Sequence, residues 1–201
     1  MMFKKINLDP ALLFLLVGNL YCIWYYQKYP GGFGTVVWIY WFQSIIIGLF
    51  NFLQLITFKN KMPEAAPIEN MKGTLSGGCA AWFFLLHYGA FHLAYFFILL
   101  FKFDIFSVKK IVVLIGIAVF LLESLFNFIR QKRNENYAAI NGGLVFFLPY
   151  LRVIPMHLMI LLPAFIGWEP SLLFLVLKTG ADLLSFQLYH FIYRKNATTT
   201  G

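Results

Sequence analysis

The chain has 201 residues, of which 61% are hydrophobic, 20% aromatic and only 12% charged, with a mean hydropathy of +0.75 and a formal charge of +8. A soluble domain is about half apolar and about a quarter charged, so folding alone cannot hide this much apolar surface; the composition excludes an ordinary soluble globule and calls for lipid. The basic residues lie in short clusters between apolar runs, as the positive-inside rule requires, so no nucleic-acid partner is expected.

Crossing a hydrocarbon core of roughly 30 Å takes about 20 helical residues, and on that ruler the sequence predicts about six spans. The first lies near 9–27; it lacks a small-residue cleavage site before its polar end, so we expect it to remain as a span and not to be removed as a signal peptide. The turn "KYPGGFG" leads to a second near 33–58. A polar loop, "KNKMPEAAPIENMKGTLSGG", separates it from a third near 79–101. The fourth, near 109–129, ends in "RQKRNEN"; the fifth falls within 143–167, broken by Pro149, Pro155 and Pro163; the sixth follows "WEP" near 170–193. The runs are continuously apolar and do not alternate with period two, which excludes a membrane β-barrel. The expected architecture is therefore an all-α, polytopic membrane helical bundle, residues 1–201 forming one domain. Cys22 and Cys79 have no CxxC spacing, so neither a disulfide framework nor a thiolate metal site is expected.

A cytoplasmic N-terminus puts Lys4, Lys5, Lys59, Lys61, Lys72, Arg130, Lys132, Arg133, Arg194 and Lys195 on the inside, against Lys28, Lys102, Lys109 and Lys110 outside. That asymmetry predicts a multi-pass protein of the cell membrane with both termini cytoplasmic.

Ionisable groups within spans are costly, face the bundle interior and mark functional sites. Here they are His87, His92, Glu123, Arg152, His157, Lys178, Asp182 and His190. With about 1.5 Å of rise per residue, His87, Glu123, His157 and Asp182 fall at comparable depths on four different helices. His87 and His92, five positions apart, point about 140° away from each other, so at most one of them faces any single site, and depth favours His87. Lys178 and Asp182, four apart, are neighbours on one helical face and can neutralise each other; beside them Gly180 and Ala181 are small enough to admit another helix. Pro155 frees the carbonyl of Leu151, so the Arg152–Pro155–His157 segment reads either as a broken helix beside a polar cavity or as a kinked helix whose arginine reaches the interface.

The segments "HYGAFH", "RVIPMHL" and "LKTGADLLSFQLYH" together resemble an uncharacterised family of bacterial integral membrane proteins, classed as a domain of unknown function. The positions that carry the resemblance are His87, Tyr88, Gly89, His92, Arg152, Pro155, His157, Lys178, Thr179 and Asp182, with His190 the least secure. It spans about 79–190 and implies a bacterial inner-membrane protein without supplying an activity.

Three functional classes remain open, and the sequence does not decide whether the chain is an enzyme. In the first, His87, His157 and Asp182, completed by His92 or Glu123, bind a divalent transition metal, zinc being the natural candidate for a His/carboxylate set without cysteine; b-type haem held between two histidines is a less favoured variant. In the second, the same ion serves a membrane lipid hydrolase, similar in residue type to the adiponectin-receptor and alkaline-ceramidase group, with Ser124 or Ser185 nearby. In the third, His87, Glu123, His157 and Asp182 relay protons in a transporter or channel; a chain this small with no evident repeat would need a homo-oligomer to form a pore. Beside these stands a purely structural role for the histidines.

Overall fold

The computed structural model describes residues 9–57, 77–103, 106, 108–133, 142–162 and 172–198. Six α-helices account for nearly all of them: α1 (Pro10–Lys28), α2 (Phe33–Ile56), α3 (Gly77–Lys102), α4 (Lys110–Arg133), α5 (Gly142–Leu161) and α6 (Leu172–Thr198). No strand occurs among the described residues. Among the described residues three stretches are long and apolar enough to cross a membrane, Pro30–Ile56, Cys79–Lys102 and Lys110–Arg133.

Local sequence sets the helix ends. Asp9 caps α1, its carboxylate accepting from the amide of Ala11 at 3.0 Å, and Pro10 takes the first helical position, where a missing amide costs nothing. The Pro30–Gly32 turn, of 3-10 type, then reverses the chain into α2. α5 runs without interruption, with Pro149 and Pro155 inside it. The expected break at Pro155 is thus not a break in the helix. Prolines are tolerated at membrane depth where neighbouring groups re-satisfy the freed backbone.

α2 is the central helix, packing against α3, α4 and α5. Its apolar window is 61% buried, whereas those of α3 and α4 are 28% buried and leave Trp82, Phe83, Leu86, Ile111 and Leu114 facing outward. In water so much exposed hydrocarbon would drive aggregation; against lipid it is the natural outer surface. α1 lies in the groove between α4 and α6, and α5 packs on α6. Close approach of the helices depends on small residues: a methyl group on Gly48 would stand 2.4 Å from the Tyr88 ring, one on Gly116 2.7 Å from Ile39, and one on Gly18 2.7 Å from Phe120. Among the described residues Gly180 has no atom within 4 Å of such a methyl, so the close helix contact expected there is not seen among them.

Side-chain pairs give the direction of every helix. Asp9 forms an ion pair with Arg130 while Lys109 lies over the Tyr29 ring, so α1 and α4 are antiparallel. Lys132 bonds to Thr57, which makes α2 parallel to α4, and Phe33 meets Phe103, which makes α3 antiparallel to α2. Phe84, Tyr88 and Tyr95 face Phe146, Tyr150 and His157 in order, so α5 follows α3. α6 passes Asn19 at Asp182 and reaches Arg130 at Phe186, running the opposite way. Successive helices therefore alternate up and down, and the start of α1 and the end of α6 share one end of the bundle.

Candidate functional site

Asp182 occupies the centre of the bundle, fully buried. One of its oxygens, Oδ1, accepts from Nζ of Lys178 at 2.5 Å and from Nε of Arg152 at 3.2 Å. The other, Oδ2, accepts from the side-chain amides of Asn19 and Gln43, both at 3.1 Å. A single carboxylate thus joins α1, α2, α5 and α6. Arg152 continues the network: its two terminal nitrogens reach Glu123 Oε1 at 3.2 Å and Oε2 at 3.4 Å. This two-point geometry is the one a guanidinium offers a carboxylate. Glu123, also fully buried, accepts further bonds from Asn127 at 2.6 Å and Ser124 at 3.2 Å. Asn127 in turn accepts from Arg130 at 2.7 Å, near the end of α4. On the opposite flank Tyr40 donates to Asn19 at 3.2 Å and carries the Lys178 ammonium 5.2 Å from its ring centroid.

The network contains two cations and two anions, so it is balanced, and every charge in it has a direct partner. Uncompensated charge in such a setting would cost several kcal/mol. Of the two readings of this segment, an arginine that reaches the interface is set aside: Arg152 is a buried bridge between the two carboxylates. The Lys178–Asp182 pair is present as spacing predicts, and it is the core of a larger assembly.

Three of the histidines, His87, His92 and His157, lie elsewhere, on α3 and α5. His87 is exposed, stacked on Phe83 with ring centroids 5.7 Å apart and edge-on to Phe91 at 5.0 Å. His92 is buried, stacked on Tyr88 at 4.2 Å, with Nδ1 2.9 Å from the Tyr88 carbonyl. Only a protonated Nδ1 can bond to a carbonyl, so neutral His92 carries its lone pair on Nε2, and that atom has no partner. His157 packs on Tyr95 at 4.5 Å, and its Nε2 is likewise buried and unpartnered. The side chain of His190 lies outside the described residues.

The five ligands expected of a metal centre therefore do not converge. Asp182 and Glu123 are bound by Arg152 and Lys178, and His87 points to the bundle exterior. Among the described residues no group of three or more His, Cys, Asp or Glu side chains is placed to hold an ion. Depth along a helix places residues in one slab; the direction each faces is set by packing, and here packing divides the slab in two. The serines considered for hydrolysis are not paired with histidine in the bonds they form: Ser124 donates to Glu123, and Ser185 to the Ala181 carbonyl at 2.8 Å.

Asn19, Tyr40, Gln43 and Asn127 were not expected at the site. The signal was available, since a lone amide in an apolar helix is costly for the same reason as a charge. A cleft of about 50 Å³ adjoins the network, with Arg152 and Ser124 in its wall. It follows α2 and α4 through Asn51, Gln54, Asn127 and Gln131 toward the helix ends at Ile56 and Arg133.

Apolar outer faces, a buried, charge-balanced polar centre and, among the described residues, three stretches long and apolar enough to cross a membrane are compatible with a membrane protein. The chain belongs to DUF6498, a family of unknown function whose model matches residues 1–199. The match extends beyond the 79–190 segment that carried the resemblance and takes in the first two helices, which supply Asn19, Tyr40 and Gln43 to the centre. No curated protein and no solved structure matches the chain.

Proposed function

We propose that the protein crosses the membrane six times, with both termini cytoplasmic, and works as a proton-coupled carrier with Asp182 as its protonation site. The observation that carries this reading is the junction at Asp182, whose one carboxylate is bonded from α1, α2, α5 and α6. Adding a proton to it cancels the charge that holds Lys178 and Arg152, and so weakens contacts to four helices at once. Such an element has two states, and proton binding biases the balance between them. The cleft beside Arg152 supports the reading further, since a purely structural charge cluster has no need of polar lining toward one end of the bundle.

The test is proton flux into liposomes carrying a pH dye, under an imposed gradient. Wild type is expected to conduct and Asp182→Asn to lose the flux; equal flux in both overturns the assignment.

One observation favours a second reading. His92 and His157 each present a buried Nε2 with no hydrogen-bond partner among the described residues. Imidazole nitrogens of this kind suit a transition-metal ion such as zinc, with the remaining ligands supplied by water or a second protein. Elemental analysis of the purified protein tests it: a metal that disappears in both His92→Ala and His157→Ala supports this pair, and one that persists in both rejects it.

A further inference from the structure

The cleft beside the ionic network is equipped to bind a ligand. In its wall Asn51 is 3% exposed, and neither the nitrogen nor the oxygen of its side-chain amide has a hydrogen-bond partner. Burying an amide without partners is unfavourable, and leucine would fill the same space without that cost. Arg152 borders the same space. A guanidinium has five N–H donors; three are engaged by Glu123 and Asp182, which leaves two. The lining contains one formal charge, the positive one of Arg152, with the amides of Asn51, Gln54, Asn127 and Gln131, the hydroxyl of Ser124 and no carboxylate. The rest of the wall is apolar, chiefly Ile47, Phe50, Phe128 and Phe186. Lys132, its ammonium 5.5 Å from the Phe128 ring centroid, adds positive potential on the side of the helix ends.

One cation, amide N–H donors, no carboxylate in the lining and aromatic walls favour a small anion with an apolar body. A water-sized group needs about 10–15 Å³ of cavity volume, so about 50 Å³ admits a few such groups, the size of acetate or propionate. We infer that this cleft is a binding site for a small monocarboxylate, held by the remaining N–H groups of Arg152 and by Asn51. Naming that anion as the cargo rests on the proton-carrier reading; its binding does not.

The experiment is calorimetric titration of the full chain in lipid nanodiscs, at fixed pH and without a gradient, with sodium acetate and propionate against sodium chloride at equal ionic strength. Saturable binding of the carboxylates is expected, with none for chloride, and Asn51→Leu should weaken it at least tenfold while the empty variant melts no lower than wild type. Gln131→Leu gives an independent reading with a loss in the same direction. Equal binding of chloride would reassign the site to inorganic anions and overturn the proposal, as would carboxylate affinity unchanged in both variants. Carboxylate binding without proton flux in liposomes would reject the carrier and keep the site; flux without carboxylate binding would do the reverse.

Discussion

Arg152 and Asp182, 30 positions apart in the chain, meet in the middle of the bundle, with the arginine Nε–H donating to the aspartate at 3.2 Å. The same guanidinium holds Glu123, so a single side chain on α5 ties the carboxylate of α6 to that of α4. Removing one member of a buried ionic assembly strands the others. Asp182→Ala leaves Lys178 and Arg152 with only Glu123 and is expected to cost about 3–5 kcal/mol. The double change Lys178→Met with Asp182→Leu removes a pair together, and should recover most of that stability while remaining inactive in proton flux. Unfolding in lipid, followed by tryptophan fluorescence, measures both; an Asp182→Ala protein as stable as wild type would refute the charged network.

Gly48 and Gly89 separate packing from propensity. A methyl on Gly48 would lie 2.4 Å from the Tyr88 ring, and that ring is held by its hydroxyl on the Ser44 carbonyl at 2.8 Å and by stacking on His92. Gly48→Ala is therefore expected to destabilise by about 1–3 kcal/mol through overpacking. Gly89 has nothing within 4 Å, so Gly89→Ala should be neutral or gain up to about 1 kcal/mol of helix propensity. Parallel melts of the two variants decide it, and equal losses would contradict the packing of α2 on α3.

His87 looks functional by depth and turns out to lie on an exposed face among aromatics. His87→Phe is expected to change stability by less than about 0.5 kcal/mol, as exposed substitutions do, and to leave metal content and proton flux unchanged. Loss of either would place His87 back at a working site.

The two cysteines report the orientation. Cys22 is buried and Cys79 is exposed, near the start of α3 at the bundle end that carries Asp9 and Arg130. With cytoplasmic termini, a membrane-impermeant maleimide should label Cys79 only in inside-out vesicles, and Cys22 only after denaturation. Labelling of Cys79 in right-side-out vesicles would invert the topology.

Much of the fold was legible because its cause is local. α1, α2 and α3 lie within about two residues of the apolar runs and α4, α5 and α6 overlap theirs, since the length of an apolar run depends on composition alone. Their alternating directions also follow from connectivity, short or polar links joining successive helices. The site was legible only in part. The Lys178–Asp182 pair could be read from spacing of four, because helical geometry puts such residues on one face. Arg152 in the network could not, as a reach to the interface and a buried bridge imply the same sequence.

By itself, then, the sequence determined that this chain is a bundle of apolar helices and which of its side chains pay heavily to be inside it, because transfer cost belongs to each residue. Only the tertiary structure decided which of them meet. It joined Asp182, Arg152 and Glu123 to Asn19 and Gln43 from the first two helices, and set His87, His92 and His157 apart on α3 and α5. The physical reason is that rise along a helix comes from residue count, whereas the direction a side chain faces across a bundle is fixed by how glycines such as Gly48 and Gly116 let particular pairs of helices close.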